Sequence, residues 1–216
     1  MDIAQLSTKE KIIEIAGDIF GKNGFRATTI RMIANEAGVN VAAVNYHFGD
    51  KEGLYAEVLD AIFTVGFTRF PSDPGIGVDA TPKDRLKAFI RATMHRLLSQ
   101  EGWGGLEGKA RLIAREMLDP TPAFAQVVNK FIRPHKDMLV SIISSLVDLK
   151  DEPERVLLCA VSILGQCIYY VYATAIIKQV AAEYTPLESN IDRIVDHVLE
   201  FSLGGLEKIN RSKEGA

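Results

Sequence analysis

The chain has 216 residues, 47% of them hydrophobic and 25% charged, with a formal net charge of −3. That length supports one or two domains with a sizeable core, and that composition excludes a disordered chain. The slightly acidic balance, pI near 5.9, excludes a uniformly basic nucleic-acid binder; a DNA or RNA partner would need a local basic patch.

Apolar residues recur at helical spacing along nearly the whole chain. Ile12, Ile13, Ile15, Ala16, Ile19 and Phe20 predict a first helix, capped by Ser7 or Thr8 and ending near Lys22-Asn23-Gly24. A short second helix is predicted from Thr29 to Ala37 with Thr28 as N-cap. Gly38-Val39 breaks the pattern, and a third helix runs from Val41 to His47 with Asn40 as cap. After Gly49-Asp50 a fourth helix starts at Lys51 and reaches about Phe70. A loop from Pro71 to Pro82, rich in Pro, Gly and Asp, follows. Longer helices are then predicted over Lys83–Gln100, Gly108–Leu118, Pro122–Leu149, Pro153–Tyr184 and Leu187–Ile209. Pro134 should kink or split the third of these. The polar tail after Ile209 should fray. No useful period-2 run and no internal repeat is visible, so the fold class is all-α. The boundary is placed at the fourth helix, dividing 1–55 from 56–216.

Three short helices before a longer one, with a glycine turn between the second and third, is a helix-turn-helix arrangement. Ile30, Ile33, Ala34, Ala37, Val39 and Val44 fall where two crossing helices press together, and Gly38 adopts positive φ at low cost. Val41, Ala42 and Ala43 keep the third helix slim enough to enter a major groove, and Asn40 caps its start. Asn45, Tyr46 and His47 then offer polar groups to base edges and phosphates, while Phe48 turns inward. Lys51, Thr28 and Thr29 stand at helix starts suited to phosphate oxygens, with Arg26 and Arg31 nearby.

The block "IIEIAGDIFGKNGFRATTIRMIANEAGVNVAAVNYHFGDKEGLY" resembles the DNA-binding domain of the TetR family of bacterial transcriptional repressors. The resemblance is carried by Gly24-Phe25, Thr28-Thr29-Ile30, Ile33-Ala34, Ala37-Gly38-Val39, Tyr46-His47-Phe48 and Lys51 to Leu54. Asn45 departs from it, because many members carry Tyr there. The resemblance implies an N-terminal helix-turn-helix domain and a larger helical C-terminal domain for ligand binding and dimerisation. It also implies a homodimer through the last two long helices, a double-stranded DNA operator, and release by a small-molecule effector. Two symmetric reading helices reach successive major grooves about 34–36 Å apart, so the operator should be pseudo-palindromic.

Val156 to Ile177 carries no formal charge, a length that invites a membrane reading. Ser162, Gln166, Thr174 and three tyrosines interrupt it, and a helix apolar all round also suits a core helix with partners on every side. Ile191, Ile194, Val195, Val198, Leu199 and the stretch from Phe201 to Leu206 give the last helix a matching apolar face. No membrane partner is expected. Polar or aromatic residues on otherwise apolar helices are the effector-site candidates: Met94, His95, Trp103, Arg115, Glu116, Phe131, His135, Gln166, Tyr169 and Tyr172. "AREMLDPTPAF", Ala114 to Phe124, resembles the C-terminal domain of the CecR-like branch of the family.

An enzyme is not expected. His47, His95, His135 and His197 are scattered, and none forms an HExxH motif or pairs with cysteine at metal-ligand spacing, so no catalytic residue, metal or cofactor is assigned. "EGWGGLEGKA", Glu101 to Ala110, is one residue short of a phosphate-binding loop and lacks its hydroxyl. Cys159 and Cys167 would lie about 12 Å apart on one helix, too far for a disulfide, and are expected as reduced, buried thiols. The N-terminal residues do not read as a signal peptide, so a cytoplasmic location is expected. The alternative function is a helical, dimeric small-molecule-binding protein without sequence-specific DNA binding.

Overall fold

The computed structural model describes residues 6–73, 75–77, 79–105, 108–149, 151–181 and 190–214, without the side chains of 174, 175, 178 and 212–214. Among the described residues there is no strand, and the fold is all-α. The chain packs as two compact units, Met1–Val65 with Trp103–Ile132, and Gly66–Gly102 with Arg133–Ala216.

In the first unit, α1 spans Thr8–Ala27. Its start is a capping box. The Ser7 hydroxyl accepts from the Glu10 amide at 3.3 Å and the Ser7 amide donates to the Glu10 carboxylate at 2.9 Å, so Ser7 rather than Thr8 is the cap. Gly24, at φ +80°, interrupts the helix near its expected end, and one further turn reaches Ala27. α2 spans Ile30–Ala37, one residue later than predicted, because Thr29 is the N-cap and its hydroxyl accepts from the Met32 amide at 3.2 Å. α2 closes on Gly38 at φ +65°, the turn conformation that a side chain would strain. α3 spans Val41–Phe48, and Asn40 accepts from the Ala43 amide at 2.6 Å as predicted.

Ile12, Ala16, Phe20, Ile33, Ala34, Ala37, Val44 and Phe48 are buried together with Leu54, Tyr55, Val58 and Leu59 of α4, which spans Lys51–Arg69. Each large side chain in that set contributes about 1.5–3 kcal/mol by leaving water. α1 also packs on α6, Ala110–Leu118. Lys109 pairs with Glu14 between them. A short helical turn at Trp103–Gly105 and α7, Phe124–Val127, also belong to this unit. Phe63 is ringed by Trp103, Phe124 and Phe131 at centroid separations of 4.8–5.9 Å.

The second unit is built on α5, Pro82–Leu98, whose capping box joins Thr81 and Asp84 and whose first position is proline. α5 packs on α8, Arg133–Ser144; on α9, Pro153–Tyr172; and on α11, Ile191–Glu214. The predicted disturbance at Pro134 is present. The turn Val128–Ile132 just before α8 is widened, as expected where proline offers no amide to the preceding turn. The helix predicted as Pro153–Tyr184 breaks at Ala173, and α10, Thr174–Val180, follows. The predicted end at Tyr184 and the predicted start at Leu187 lie outside the described residues. Beyond Ile209 the described residues continue α11 to Glu214.

Leu86, Phe89, Ile90, Met94, Leu139, Ile143, Ala160, Ile163, Val195 and Val198 form the core of this unit. Cys159 and Cys167 are free and buried within it. Burial raises both thiols, Cys167 to about 12, which keeps them protonated and inert. α9 is long and apolar enough to cross a membrane by length and composition.

Candidate nucleic-acid interface and effector-site residues

The α2–turn–α3 segment presents one solvent face. Val41 and Ala42 are exposed and Ala43 is half-buried, so the first turn of α3 carries no large side chain on its outer surface. Asn45, Tyr46 and His47 are exposed on the following turn. Tyr46 is 87% exposed, and its ring stands 5.2 Å between centroids from that of His47, the two steeply inclined. The inward partners of that turn are Val44 and Phe48, both buried. The surface is therefore slim at the helix start and polar-aromatic one turn later, held by a core on the other side.

Arg26, in the last turn of α1, and Arg31, on α2, are exposed. Thr29 is exposed, and since its oxygen accepts from Met32 its own hydrogen remains available to an oxygen ligand. Asn40 likewise keeps its amide donors outside the cap.

Two expected phosphate contacts have partners within the fold. Thr28 is 0% exposed and its hydroxyl donates to the Gly24 carbonyl at 2.8 Å, so it closes the end of α1. Lys51 is half-buried; its ammonium donates to the carbonyls of Phe25 and Thr28, each at 3.2 Å, and stands 4.4 Å from the Phe25 ring centroid. Two of its three donors thus cap carbonyls left over at the C-terminal end of α1. Both residues hold the reading surface in place from behind.

The ten effector-site candidates are divided between the two units. Trp103, Arg115, Glu116 and Phe131 belong to the first unit. Trp103 is buried and its indole donates to the Ile62 carbonyl at 3.0 Å. Arg115 is exposed and donates to the Phe20 carbonyl at 3.3 Å. Glu116 is buried, accepting from the Tyr55 hydroxyl at 2.7 Å and the Thr121 amide at 2.8 Å. Phe131 packs on Phe63. Each of these four thus has a partner within that unit.

Met94, His95, His135, Gln166, Tyr169 and Tyr172 belong to the second unit. Met94 is wholly buried in the core. Gln166 reaches the Ser202 hydroxyl at 3.3 Å, and Tyr169 and Tyr172 are exposed on α9. His95 stacks on Phe70 at 5.5 Å and lines a cleft of about 490 Å³ with Arg69, Pro71, Lys87, Arg91 and Ala92. Three of the basic groups there already face carboxylates: Arg69 with Glu101, Lys87 with Asp196, and Arg91 with Asp192.

His135 is buried and stacks on Phe89 at 4.2 Å between centroids. Its hydrogen bonds have one consistent direction. The Thr93 hydroxyl donates to the Phe89 carbonyl at 2.9 Å, so its oxygen accepts from His135 Nε2 at 3.3 Å. Nδ1 then accepts from the Ser72 hydroxyl at 2.5 Å, and the Ser72 oxygen accepts from Arg96 at 3.3 Å. That chain fixes the neutral Nε2–H tautomer. Burial, and then the nearby Arg96 charge, lower His135 to about 3.

Arg96 is the residue that sequence reasoning missed. It is 2% exposed, and burial alone lowers its guanidinium to about 9. It donates to the Phe70 carbonyl at 2.7 Å and lies 3.8 Å over the Phe67 ring, while its Nε has no partner. A signal was present in the sequence. Leu86, Phe89, Ile90 and Thr93 trace the inner face of α5, and position 96 continues that stripe with a charge.

A helix-turn-helix head with a slim, polar-aromatic recognition surface, joined to a second helical unit, defines a DNA-binding regulator of the helix-turn-helix class. Residues 12–58 match the family profile described as bacterial regulatory proteins, tetR family, and residues 82–206 match that of the C-terminal domain of the HTH-type transcriptional dual regulator CecR. The chain is 31% identical over 178 residues to the dual regulator CecR of Shigella flexneri, covering 79% of this chain and 78% of that protein. It belongs to the TetR family of bacterial transcriptional regulators, with a CecR-type C-terminal domain. Two solved structures share the fold. A candidate transcriptional regulator from Pseudomonas aeruginosa PAO1 has a TM-score of 0.66 at 20% identity, covering 97% of this chain and 98% of its own. FadR from Bacillus subtilis, in complex with stearoyl-CoA, has a TM-score of 0.62 at 20% identity, covering 91% and 98%.

Proposed function

We propose that this regulator is a cytoplasmic, ligand-responsive repressor that binds a pseudo-palindromic operator as a homodimer and is released by a small-molecule effector. The observation that carries the DNA half is the outer face of α3, where Tyr46 stands 87% exposed on a head whose other large aromatics are mostly packed inward. A large ring held out by a well-capped helix is costly to leave in water and useful in a groove. In this reading Val41, Ala42, Ala43, Asn45, Tyr46 and His47 meet base edges, and Arg26, Thr29, Arg31 and Asn40 meet phosphates.

The dimer is assigned to α9 and α11. Leu157, Leu158, Val161, Tyr169 and Tyr172 on α9 and Phe201 on α11 are large and exposed. A Cβ built on Gly165, Gly204 or Gly205 would meet nothing, so partner helices have room to approach closely there. A self-complementary apolar face of this kind suits a two-fold interface better than a bilayer, because it covers part of α9 and Cys159, Ala160, Ile163 and Cys167 face inward. The effector is assigned to the second unit. FadR, which shares this fold, was solved with a small-molecule ligand, and that general arrangement is extended here. An effector that prefers one spacing of the two reading heads lowers DNA affinity by the same coupling factor with which DNA lowers effector affinity.

Fluorescence anisotropy with the purified chain and DNA from upstream of its own gene tests the reading. Sequence-dependent binding that weakens steeply with salt is expected. Binding indifferent to sequence would leave instead a dimeric helical ligand-binding protein.

A further inference from the structure

The solvent face of α9 is a seam without charge. Leu158, Val161, Gly165, Tyr169 and Tyr172 are exposed at spacings of three and four residues, the repeat by which one helix presents a seam to another. Phe201 of α11 faces it across the shallow groove of about 390 Å³, and a Cβ built at Gly165, Gly204 or Gly205 would meet no atom within 4 Å. Arg155 is the charged residue that lines this groove, and it is paired with Glu152. Protruding side chains and open gaps thus share one uncharged face, and a second copy of the chain supplies the matching shape. An apolar seam has no fixed seat, however. A slide by one helical turn sets apolar surface against apolar surface again.

One amide in the groove breaks that equivalence. Gln166 is half-buried, and its Nε2 donates to the Ser202 hydroxyl at 3.3 Å and to the Ser162 carbonyl at 3.4 Å. The carbonyl contact fixes which end of the amide is nitrogen. Ser202, which supports the amide, is buried. Among the described residues no donor reaches the Gln166 Oε1. Solvent satisfies that oxygen in a single chain. A second copy seated on the groove excludes the solvent, and an acceptor left there alone is costly.

We propose that Gln166 sets the register of the homodimer: of the seats open to two α9–α11 faces, the one occupied gives each Gln166 Oε1 a donor from the other copy. The seam carries uncharged donors for it, the hydroxyls of Ser162, Tyr169 and Tyr172 and the Gln166 amide itself. The two-fold axis makes the contact reciprocal. A polar group in an apolar helical seam acts in this way, excluding other alignments at some cost in affinity. Register matters to function because it fixes the separation of the two reading heads, which must match successive major grooves. The proposal rests on the dimer assigned above to α9 and α11, and it makes Gln166 a positioning residue for operator recognition.

The test uses the full-length protein without DNA. Lys22→Cys carries a spin label at an exposed position of α1, and the unsubstituted chain, whose Cys159 and Cys167 are buried, is the labelling control. Distances between the two labels by electron resonance, and dimer affinity by sedimentation, are measured for this parent and for Gln166→Leu and Ser202→Ala in it. The parent is expected to give one narrow distance. Gln166→Leu is expected to remain dimeric, with a dissociation constant unchanged or lower, while the distance distribution splits or broadens about twofold or more. Ser202→Ala, which takes away the support of the amide, is expected to broaden it less. Gln166→Met serves if the leucine variant does not fold by circular dichroism. An unchanged narrow distribution in a folded Gln166 variant overturns the proposal, as does a broad distribution in the parent. So does about tenfold weaker dimerisation of the Gln166 variant, since the amide would then hold the copies together rather than align them. Leu158→Glu with Phe201→Glu is run alongside. A parent that is monomeric, or a double variant that stays dimeric at the parent distance, overturns the interface reading and the register with it. A dimer lost in the double variant but unchanged in Gln166→Leu overturns the register alone.

Discussion

The Tyr55 hydroxyl donates to the Glu116 carboxylate at 2.7 Å, joining α4 to α6 through two buried side chains. Desolvation first, and then the bonded carboxylate, push the phenol well above its ordinary range, so Tyr55 is a permanent donor. Glu116 also accepts from the Thr121 amide and hydroxyl, which accounts for both of its oxygens. Tyr55→Phe removes one donor and keeps the ring contacts with Phe20 and Phe25. A loss of about 1–3 kcal/mol is expected in urea unfolding, the cost of a buried hydrogen bond to a charged acceptor. An unchanged midpoint would show that water replaces the phenol at Glu116.

His135 makes stability depend on pH. Its folded value, about 3, lies below the ordinary 6.5. Between those values the unfolded chain binds a proton that the folded chain does not, so stability is full above pH 6.5 and falls as pH drops toward 3. At pH 5 the loss from this group is about 2 kcal/mol. Protonation would also cancel the Ser72 bond to Nδ1 and place a second cation beside Arg96. His135→Gln should flatten the fall in melting temperature between pH 7 and pH 5, measured against wild type in the same buffers. Parallel curves for the two proteins would mean that the ring is already solvated.

The reading head was legible because its constraints are local. Caps at Ser7 and Asn40, a glycine at φ +65° and small residues on the first turn of α3 are all written within a few positions of where they act. What was not legible there turned on tertiary partners. Thr28 and Lys51 stand at helix starts, and only the fold shows that α1 ends beside them with carbonyls that they satisfy. The effector site was less legible for the same reason. Trp103 and Glu116 are polar-tipped residues on apolar helices, as ligand contacts often are, but their partners Ile62 and Tyr55 lie 41 and 61 positions away. Arg96 was overlooked because an arginine in "MHRLL" reads as a solvated charge, although the α5 stripe places it inside.

The outer face of α3 should be separable from the residues behind it. Asn45→Ala and Tyr46→Ala change exposed side chains, so stability should move by no more than about 0.5 kcal/mol. Specific operator affinity should fall about 10- to 100-fold for a side chain that reads a base edge. Arg26→Ala should instead weaken all DNA sequences alike and lower the salt slope by about one. Lys51→Ala should lower melting temperature first, because it uncaps Phe25 and Thr28. Anisotropy titrations at several salt concentrations, paired with thermal melts, separate these classes. A Tyr46→Ala protein with native operator affinity would remove the ring from the groove.

The α9–α11 face carries the last expectation. Phe201 is 67% exposed and Leu158 is 60% exposed, and both border a shallow groove of about 390 Å³ floored by Cys159, Ile163 and Ser202. A partner helix seated there would cover both, whereas a charge in their place would be desolvated without a counter-ion. Leu158→Glu with Phe201→Glu should therefore convert dimer to monomer in light scattering while leaving helix content by circular dichroism unchanged. Binding to a full pseudo-palindromic site should then drop to the level of an isolated half-site, because one head no longer brings the second with it. If the double variant remained a dimer with native operator affinity, the two-fold contact would have to be sought on another face of the second unit.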